Sequence, residues 1–390
     1  MRRLLLCLLV AGVGTFGFAR GAAAYPQFQF SSGTNKCSQC HYSPAGGGLI
    51  SSWGRSESGD TISMAGDGGF LHGAVTLPAW FAAGADLRLA VTRTDDGGDE
   101  SPQGAWFPMQ ADAYLRFAFG DAFSLYVAAG ARGETRPVDE SAGSRLVGNL
   151  GDRFISREHY LMWRPSATGP YARVGRFYAP YGLRFVEHIY FVRRYAGYEL
   201  YNETYTASGG YVADEWELHL SAFTPPPSSF PDALQSVGAR ESGAAGYFEY
   251  RLNGMAALAA QGRVGVGKEA SRYQGGLVGK LWIEPAKLLF LGEADLIHQV
   301  VSAASYSQNQ FVSYLGVSFF PVRGVMITPM FERFQENISV STTGRNAGDL
   351  QINLFPYAHC EVVLFGRYMK VGQANQPAAT LLMAQLHYYL

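Results

Sequence analysis

From about residue 80 to its end, this chain alternates apolar and polar residues one by one. Nowhere in that stretch do about 18 apolar residues run together, as a membrane-spanning helix would need. Ala85, Leu87, Leu89 and Val91 fall on one side of an extended chain, with Asp86 and Arg88 opposite. A period of two is the signature of a β-strand with two unlike faces. Ala111, Ala113, Leu115, Phe117 and Phe119 alternate with Gln110, Asp112, Tyr114 and Arg116. Gly120-Asp121 then turns the chain into Phe123, Leu125, Val127 and Ala129, again on one face. Trp216, Leu218 and Leu220 oppose Glu217, His219 and Ser221, and Leu350, Ile352 and Leu354 oppose Gln351 and Asn353. Val362 and Leu364 flank Glu361 and Arg367 less cleanly.

Connection lengths alternate too. Short turns are predicted near Gly120, Ser166-Ala167-Thr168, Asn253-Gly254, Pro285-Ala286 and Pro321, and longer connections near 95–107, 135–150, 179–198, 225–241, 301–308 and 337–346. Transmembrane barrels show this asymmetry, with short periplasmic turns and long outer loops. Composition agrees. Charged residues are only 16% of the chain, aromatics reach 14% and there are 47 glycines, yet mean hydropathy is −0.03. Lipid-facing and lumen-facing residues cancel in such an average. The pattern predicts an all-β fold: a transmembrane antiparallel barrel of about 16 strands over residues 76–390. The terminal Leu386-His387-Tyr388-Tyr389-Leu390 looks like a closing barrel strand. A soluble β-sandwich is the alternative, but it has shorter, evenly spaced strands.

The amino terminus reads as an export signal over residues 1–24: Arg2 and Arg3, an apolar run from Leu4 to Phe18, and Ala22-Ala23-Ala24 before Tyr25. Cys7 sits within that apolar run. A formal net charge of −1 leaves no basic footprint for nucleic acid.

Residues 25–75 carry Cys37-Ser38-Gln39-Cys40-His41. C-x-x-C-H is the attachment pattern of a c-type haem: the thiols bind the vinyl groups and the imidazole ligates the iron. Zinc would need about four convergent ligands, and no second pair follows. A thioredoxin-like site would need a βαβ setting, which is absent. Cys360, alone in a strand-like run, reads as a small apolar residue on the outer face. The segment predicts one haem c held by Cys37, Cys40 and His41. Met64 and His72, near the motif, are the candidates for the distal iron ligand; Met109, His159 and His188 on the barrel wall are alternatives, as is an open position. At under about 50 residues the segment is small for a free-standing domain and needs a staple. Pro44 and Gly46-Gly47-Gly48 predict a loop after the motif, and the whole is expected as a plug or docked lid in the barrel.

Asp86, Arg88, Asp112, Arg116, Glu217, His219, Arg263, Lys280, Glu293, Asp295, Glu361 and Arg367 are expected to face the lumen. The acids among them would suit a path for ferrous iron, but polar lumens of mixed charge are the rule in such barrels. The segment Val174 to Arg184, with paired glycines and arginines, resembles a strand-to-loop entry of large porins. Val192-Arg193-Arg194-Tyr195 beyond it fits a lumenal constriction and an external loop equally well. Four letter matches carry no chemistry. Gly12–Gly17 lies in the export signal. Gly262–Lys268 has Glu269 where a phosphate loop needs Ser or Thr. Asn202-Glu203-Thr204 and Asn337-Ile338-Ser339 are only glycosylation spacings.

The order of features resembles the outer-membrane fused cytochrome–porin family: an export signal, Pro26-Gln27-Phe28, Gly33, the motif at residues 37–41, Pro44, then a barrel. Gln29-Phe30-Ser31-Ser32 departs from that family's basic stretch, and the glycine-to-cysteine gap is one residue longer. The resemblance implies an electron conduit in the bacterial outer membrane. One haem would pass electrons between an extracellular donor or acceptor, such as ferrous iron, and a periplasmic cytochrome or other soluble carrier, with outer-membrane lipid around the barrel. Iron oxidoreductase activity would follow from the same resemblance. The alternative is a porin or channel whose haem segment is a structural plug or sensor.

Overall fold

The computed structural model describes residues 25–98, 101–131, 136–137, 154–199, 202–226, 241–302, 306–373 and 376–390. The expected export signal and most of the connections at 135–150 and 225–241 lie outside the described residues. Sixteen strands of nine or more residues form the fold: β1 (Phe81–Asp95), β2 (Gln103–Phe119), β3 (Phe123–Ala131), β4 (Phe154–Trp163), β5 (Gly169–Phe177), β6 (Thr204–Val212), β7 (Trp216–Thr224), β8 (Ser242–Asn253), β9 (Ala256–Val266), β10 (Ala270–Ile283), β11 (Leu288–Val301), β12 (Tyr306–Phe319), β13 (Val325–Gln335), β14 (Gly344–Tyr357), β15 (Cys360–Val371) and β16 (Ala379–Tyr389). Each pairs antiparallel with the next. The ring closes where β1 meets β16, from Asp86 opposite Tyr389 to Asp95 opposite Thr380. Arg136–Pro137 adds a two-residue pairing to Ala105 and Trp106 of β2. Closure gives each of these strands a neighbour on both sides, which is what a sheet needs in lipid.

The alternation read in the sequence sets the two faces. Leu87, Leu89 and Val91 are exposed on the outside while Arg88 and Ala90 are buried. Leu277, Leu258 and Leu382 are 68%, 59% and 59% exposed, an apolar exterior far larger than a water-soluble protein carries. Exposed aromatics gather toward the strand ends: Trp80, Phe119, Phe123 and Phe319 toward the short turns, Trp106, Tyr306 and Tyr368 toward the long connections. From Tyr306 to Phe319 a tilted strand rises roughly 35 Å, enough to bracket a ~25 Å apolar band with two girdles.

The short turns fall where expected, and the connections on the opposite end are longer with two exceptions. The connection expected to be long near 301–308 is only the four residues 302–305, because the flanking strands extend to Val301 and from Tyr306, and one other is shorter still. β9 and β10 join there through Gly267-Lys268-Glu269, closed by Gly267 N–H donating to Ala270 O at 3.0 Å. The residues with phosphate-loop letters are thus strand and turn. Cys360 shares its outward parity with Val362 and Leu364.

Inside, the charges pair. Glu241 pairs with Arg263 at 2.7 Å and accepts from Arg272 (2.8 Å), Glu249 accepts from Lys280 (2.6 Å) and Asp349 from Arg367 (2.6 Å). Arg157 bridges Asp112 at 2.8 Å and Glu203 at 3.0 Å. His387 joins Glu361 (2.7 Å) to Asp86. Among the described residues no group of three or more His, Cys, Asp or Glu could hold a metal ion, and the acids expected in the lumen have partners there: Glu293 and Asp295 accept from Gln261 at 3.0 and 2.8 Å.

Candidate functional site

The site begins with local chain geometry. Cys37–Cys40 makes one helical turn, and His41 N–H donates to Cys37 O at 3.1 Å as that turn ends. Tyr42 N–H donates to Leu49 O (3.2 Å) and Ser51 N–H to Cys40 O (2.8 Å), closing residues 42–50 into a loop. Gly46, Gly47 and Gly48 turn that loop with φ of +81°, +78° and +61°, a region costly for other residues. A Cβ on Gly46 would come 3.1 Å from Cys37 Cβ. Ser52–Glu57 forms the next helix, N-capped by Ser51 Oγ accepting from Gly54 N–H at 3.1 Å. Gly54 lies directly on Cys40 O, where any side chain would collide.

The segment is bolted into the short-turn mouth of the barrel from all sides. Tyr25 OH donates to Glu361 of β15 at 2.9 Å, and Gln29 Nε2 to Glu249 of β8 at 3.2 Å. Leu49 N–H donates to Tyr126 OH of β3 at 3.3 Å, and Arg173 of β5 donates to Ser43 Oγ at 3.2 Å. Met64 N–H donates to Phe355 O (2.9 Å) and Ala358 N–H to Ala65 O (3.0 Å), holding the segment to the β14–β15 turn. Arg323 of the β12–β13 turn binds Gly59 O and Ser63 O.

From the opposite side the β5–β6 connection folds inward. Tyr181 OH donates to Asp295 (2.7 Å), Leu183 N–H to Glu293 (2.7 Å) and Tyr190 OH to Gln351 (2.8 Å). Of the two placements open for Val192–Tyr195, the constriction is the observed one: Phe191–Tyr195 is a short helix whose Tyr195 O accepts from Arg272 at 3.1 Å. Gly182, at φ +66°, lies so close to Glu293 that a Cβ would meet its carboxylate at 2.4 Å. Between this loop, the plug and the β1–β5 wall lies a cavity of about 1,490 Å³, open to solvent and lined by Gly46–Gly48, Arg88, Arg157 and Arg173.

A second cavity, about 680 Å³ with its open space, brings the motif together. Cys37, Cys40 and His41 line it with Tyr25, Phe28, Ile50, Ile62 and Leu183. Both thiols are free. Burial pushes both up, Cys40 to about 12 with Cys37 and Glu57 adding to the effect, so they stand as thiols at neutral pH. Burial brings His41 down to about 4 against the backbone of Gly47 and Gly48, keeping the imidazole neutral and able to ligate. Its buried Nδ1 has no partner in hydrogen-bonding geometry, although that backbone lies close. Two thiols, a neutral imidazole and an apolar slot match what a c-type haem requires.

Neither distal candidate lines this cavity. Met64 is 46% exposed, with its side chain against Gly324 of the β12–β13 turn. His72, at φ +66°, packs its ring 4.7 Å from that of His359. Ile62, two residues before Met64, does line the cavity. Met109 and His188 line the larger cavity, and His159 lies against Tyr205. Sequence reasoning missed Arg184, which reaches both cavities from the inward loop. Its only signal was the Gly182-Leu183-Arg184 run after a strand.

No family model matches the sequence, and no curated protein sequence matches it. Solved structures do resemble the fold. An anion-selective porin from Comamonas acidovorans superposes with a TM-score of 0.60 at 10% identity, over 80% of this chain and 99% of the porin. The Pseudomonas putida porin OprB gives 0.58 at 11%, over 80% and 94%. The Vibrio cholerae outer-membrane protein OmpT gives 0.58 at 12%, over 81% and 100%. The chain has the porin fold. At these identities the likeness speaks for architecture alone.

Proposed function

We propose that this chain is an outer-membrane electron conduit, a porin-fold barrel whose N-terminal plug carries one c-type haem. The observation that carries the reading is the shared cavity of Cys37, Cys40 and His41 in a segment bonded to the lumen on every side. Cys37 and Cys40 would hold the group by thioether bonds, each S–H adding across a vinyl double bond with nothing leaving, and His41 would be its axial ligand. When bound, the haem supplies one-electron exchange between ferrous and ferric iron. The protein's own part is placement. An apolar band of ~25 Å insulates the periplasm from the outside, and a redox centre within the barrel divides that distance, where one hanging below it would not. Tyr25, Phe28 and Leu183 give the slot apolar walls, and the cavity of about 1,490 Å³ beside Gly46–Gly48 would give a small extracellular redox partner, ferrous iron or another donor or acceptor, room to approach. A periplasmic cytochrome or similar soluble carrier would meet the plug from the short-turn side.

The porin fold itself and that same cavity favour a second reading, a solute channel with a haem-bearing structural plug or sensor. Spectra of intact cells given external ferrous iron separate the two. Haem reduction without added mediator supports the conduit. A redox-silent haem together with solute flux in vesicles supports the channel and rules the conduit out.

A further inference from the structure

On the outer face of the barrel, Arg93 stands among apolar neighbours. A groove of about 820 Å³, counting its open space, crosses that face over β14, β15, β16 and β1. Strand register lays its outward side chains in two rows. Ile352, Leu364, Ala384 and Val91 form one; Leu350, Gly366, Leu382 and Arg93 form the next, one step nearer the long connections. Small residues make the trough: Gly366 has no side chain and Ala384 a single carbon, while Leu350, Leu364, Leu382 and Val91 stand exposed around them. Four strands at ~4.8 Å spacing give it a floor roughly 14 Å wide.

Arg93 marks the outer rim of this trough. It lies two residues past Val91, whose partner on β2 is Trp106, and Tyr368 is the next outward residue after Gly366 on β15. Both aromatics belong to the outer girdle, so the guanidinium lies at headgroup depth, where a cation is tolerated as it is not at the midplane. Asp95, the next acid along the same face of β1, accepts from Gly97 N–H at 2.8 Å, and among the described residues no carboxylate pairs with Arg93. A wall of apolar side chains laid over the groove would strip water from that charge and leave it unpaired. A phosphate would take two parallel N–H bonds from it.

An apolar trough with a free cation at its membrane-surface end has the profile of an acyl chain beneath an acidic headgroup. We infer that this groove binds one phosphorylated glycolipid of the outer leaflet, with an acyl chain over Gly366 and Ala384 and a phosphate on Arg93. The inference rests on the barrel and its orientation and is independent of the haem. One cation beside an anionic headgroup is worth about fivefold in affinity, or ~1 kcal/mol.

The test is native mass spectrometry of the full-length protein in detergent, titrated with purified lipid A and with the same lipid stripped of its phosphates. Wild type should carry one lipid A per barrel and prefer it about fivefold over the stripped form. Arg93→Gln should abolish that preference while leaving the affinity for stripped lipid within twofold. Ala384→Phe, which fills the trough, should weaken both forms. Lys287→Gln, which removes an exposed cation from the β10–β11 turn, should leave both within twofold. A wild-type preference of twofold or more that Arg93→Gln abolishes bears the inference out. A smaller preference, or one that survives Arg93→Gln, overturns it. A wild-type oligomer that Ala384→Phe splits into single chains also overturns it, because a second copy then covers the groove. If Ala384→Phe yields no folded barrel, Arg93→Gln decides alone.

Discussion

Leu277 offers a sharp test of the barrel's surroundings. It is 68% exposed at the middle of β10, with outward parity, while its neighbour Val278 is buried at 2%. In a water-soluble β-protein, Leu277→Arg would replace one exposed side chain by another and change stability by no more than about 0.5 kcal/mol. At the midplane of a bilayer the same change puts a guanidinium into hydrocarbon, at a cost of about 2–4 kcal/mol. That corresponds to a loss of roughly 30- to 1,000-fold in the folded-to-unfolded ratio. The assay is reversible urea unfolding in phospholipid vesicles, followed by tryptophan fluorescence and by the mobility of the unheated protein on gels. A loss below about 0.5 kcal/mol, or wild-type protein that stays folded and monodisperse without lipid or detergent, would refute the assignment of the outer face.

Other substitutions probe the plug and the lumen. Gly46→Ala combines a left-handed backbone with contact to Cys37, whereas Gly33→Ala, at φ +76° with nothing within 4 Å, carries the backbone cost alone. The backbone part is about 1–2 kcal/mol in each, so only Gly46→Ala should also lower haem content per barrel; equal haem content in both would show that the contact does not matter. Glu217 is fully buried between Arg184, Arg251 and His219. Glu217→Gln leaves buried cations short of a partner and should cost about 3 kcal/mol in the same unfolding assay, and a loss under 1 kcal/mol would count against the pairing. Cys360→Ser, on the outer face, should leave haem staining unchanged; loss of stain there would implicate the wrong thiol.

The barrel was legible because its signal is distributed. Each strand alone is weak, but a two-residue period sustained from Phe81 to Tyr389 has one solution once the apolar face is outside, and the sixteen-strand ring follows from the turns between. Asp86, Glu217, His219 and Glu293 could be assigned to the lumen by parity alone. Their partners could not, since Arg184–Glu217 and Tyr181–Asp295 are set by how the β5–β6 connection folds. That fold uses backbone room at Gly182, where a Cβ would meet Glu293, which letters do not record. The grouping of Cys37, Cys40 and His41 at one cavity was legible, because C-x-x-C-H constrains three side chains within one turn. The distal side was not. Met64 and His72 are close in number to His41, but closeness in number does not fix where a side chain is held, and Met64 lies against Gly324.

Mass spectrometry of the peptide containing Cys37–His41, cut from protein purified out of the outer-membrane fraction, asks directly whether a haem is bonded there. The account predicts that this peptide carries the mass of one haem on both sulfurs, and that Cys37→Ser/Cys40→Ser protein carries none. A peptide from wild-type protein with two unmodified or disulfide-linked cysteines would contradict it.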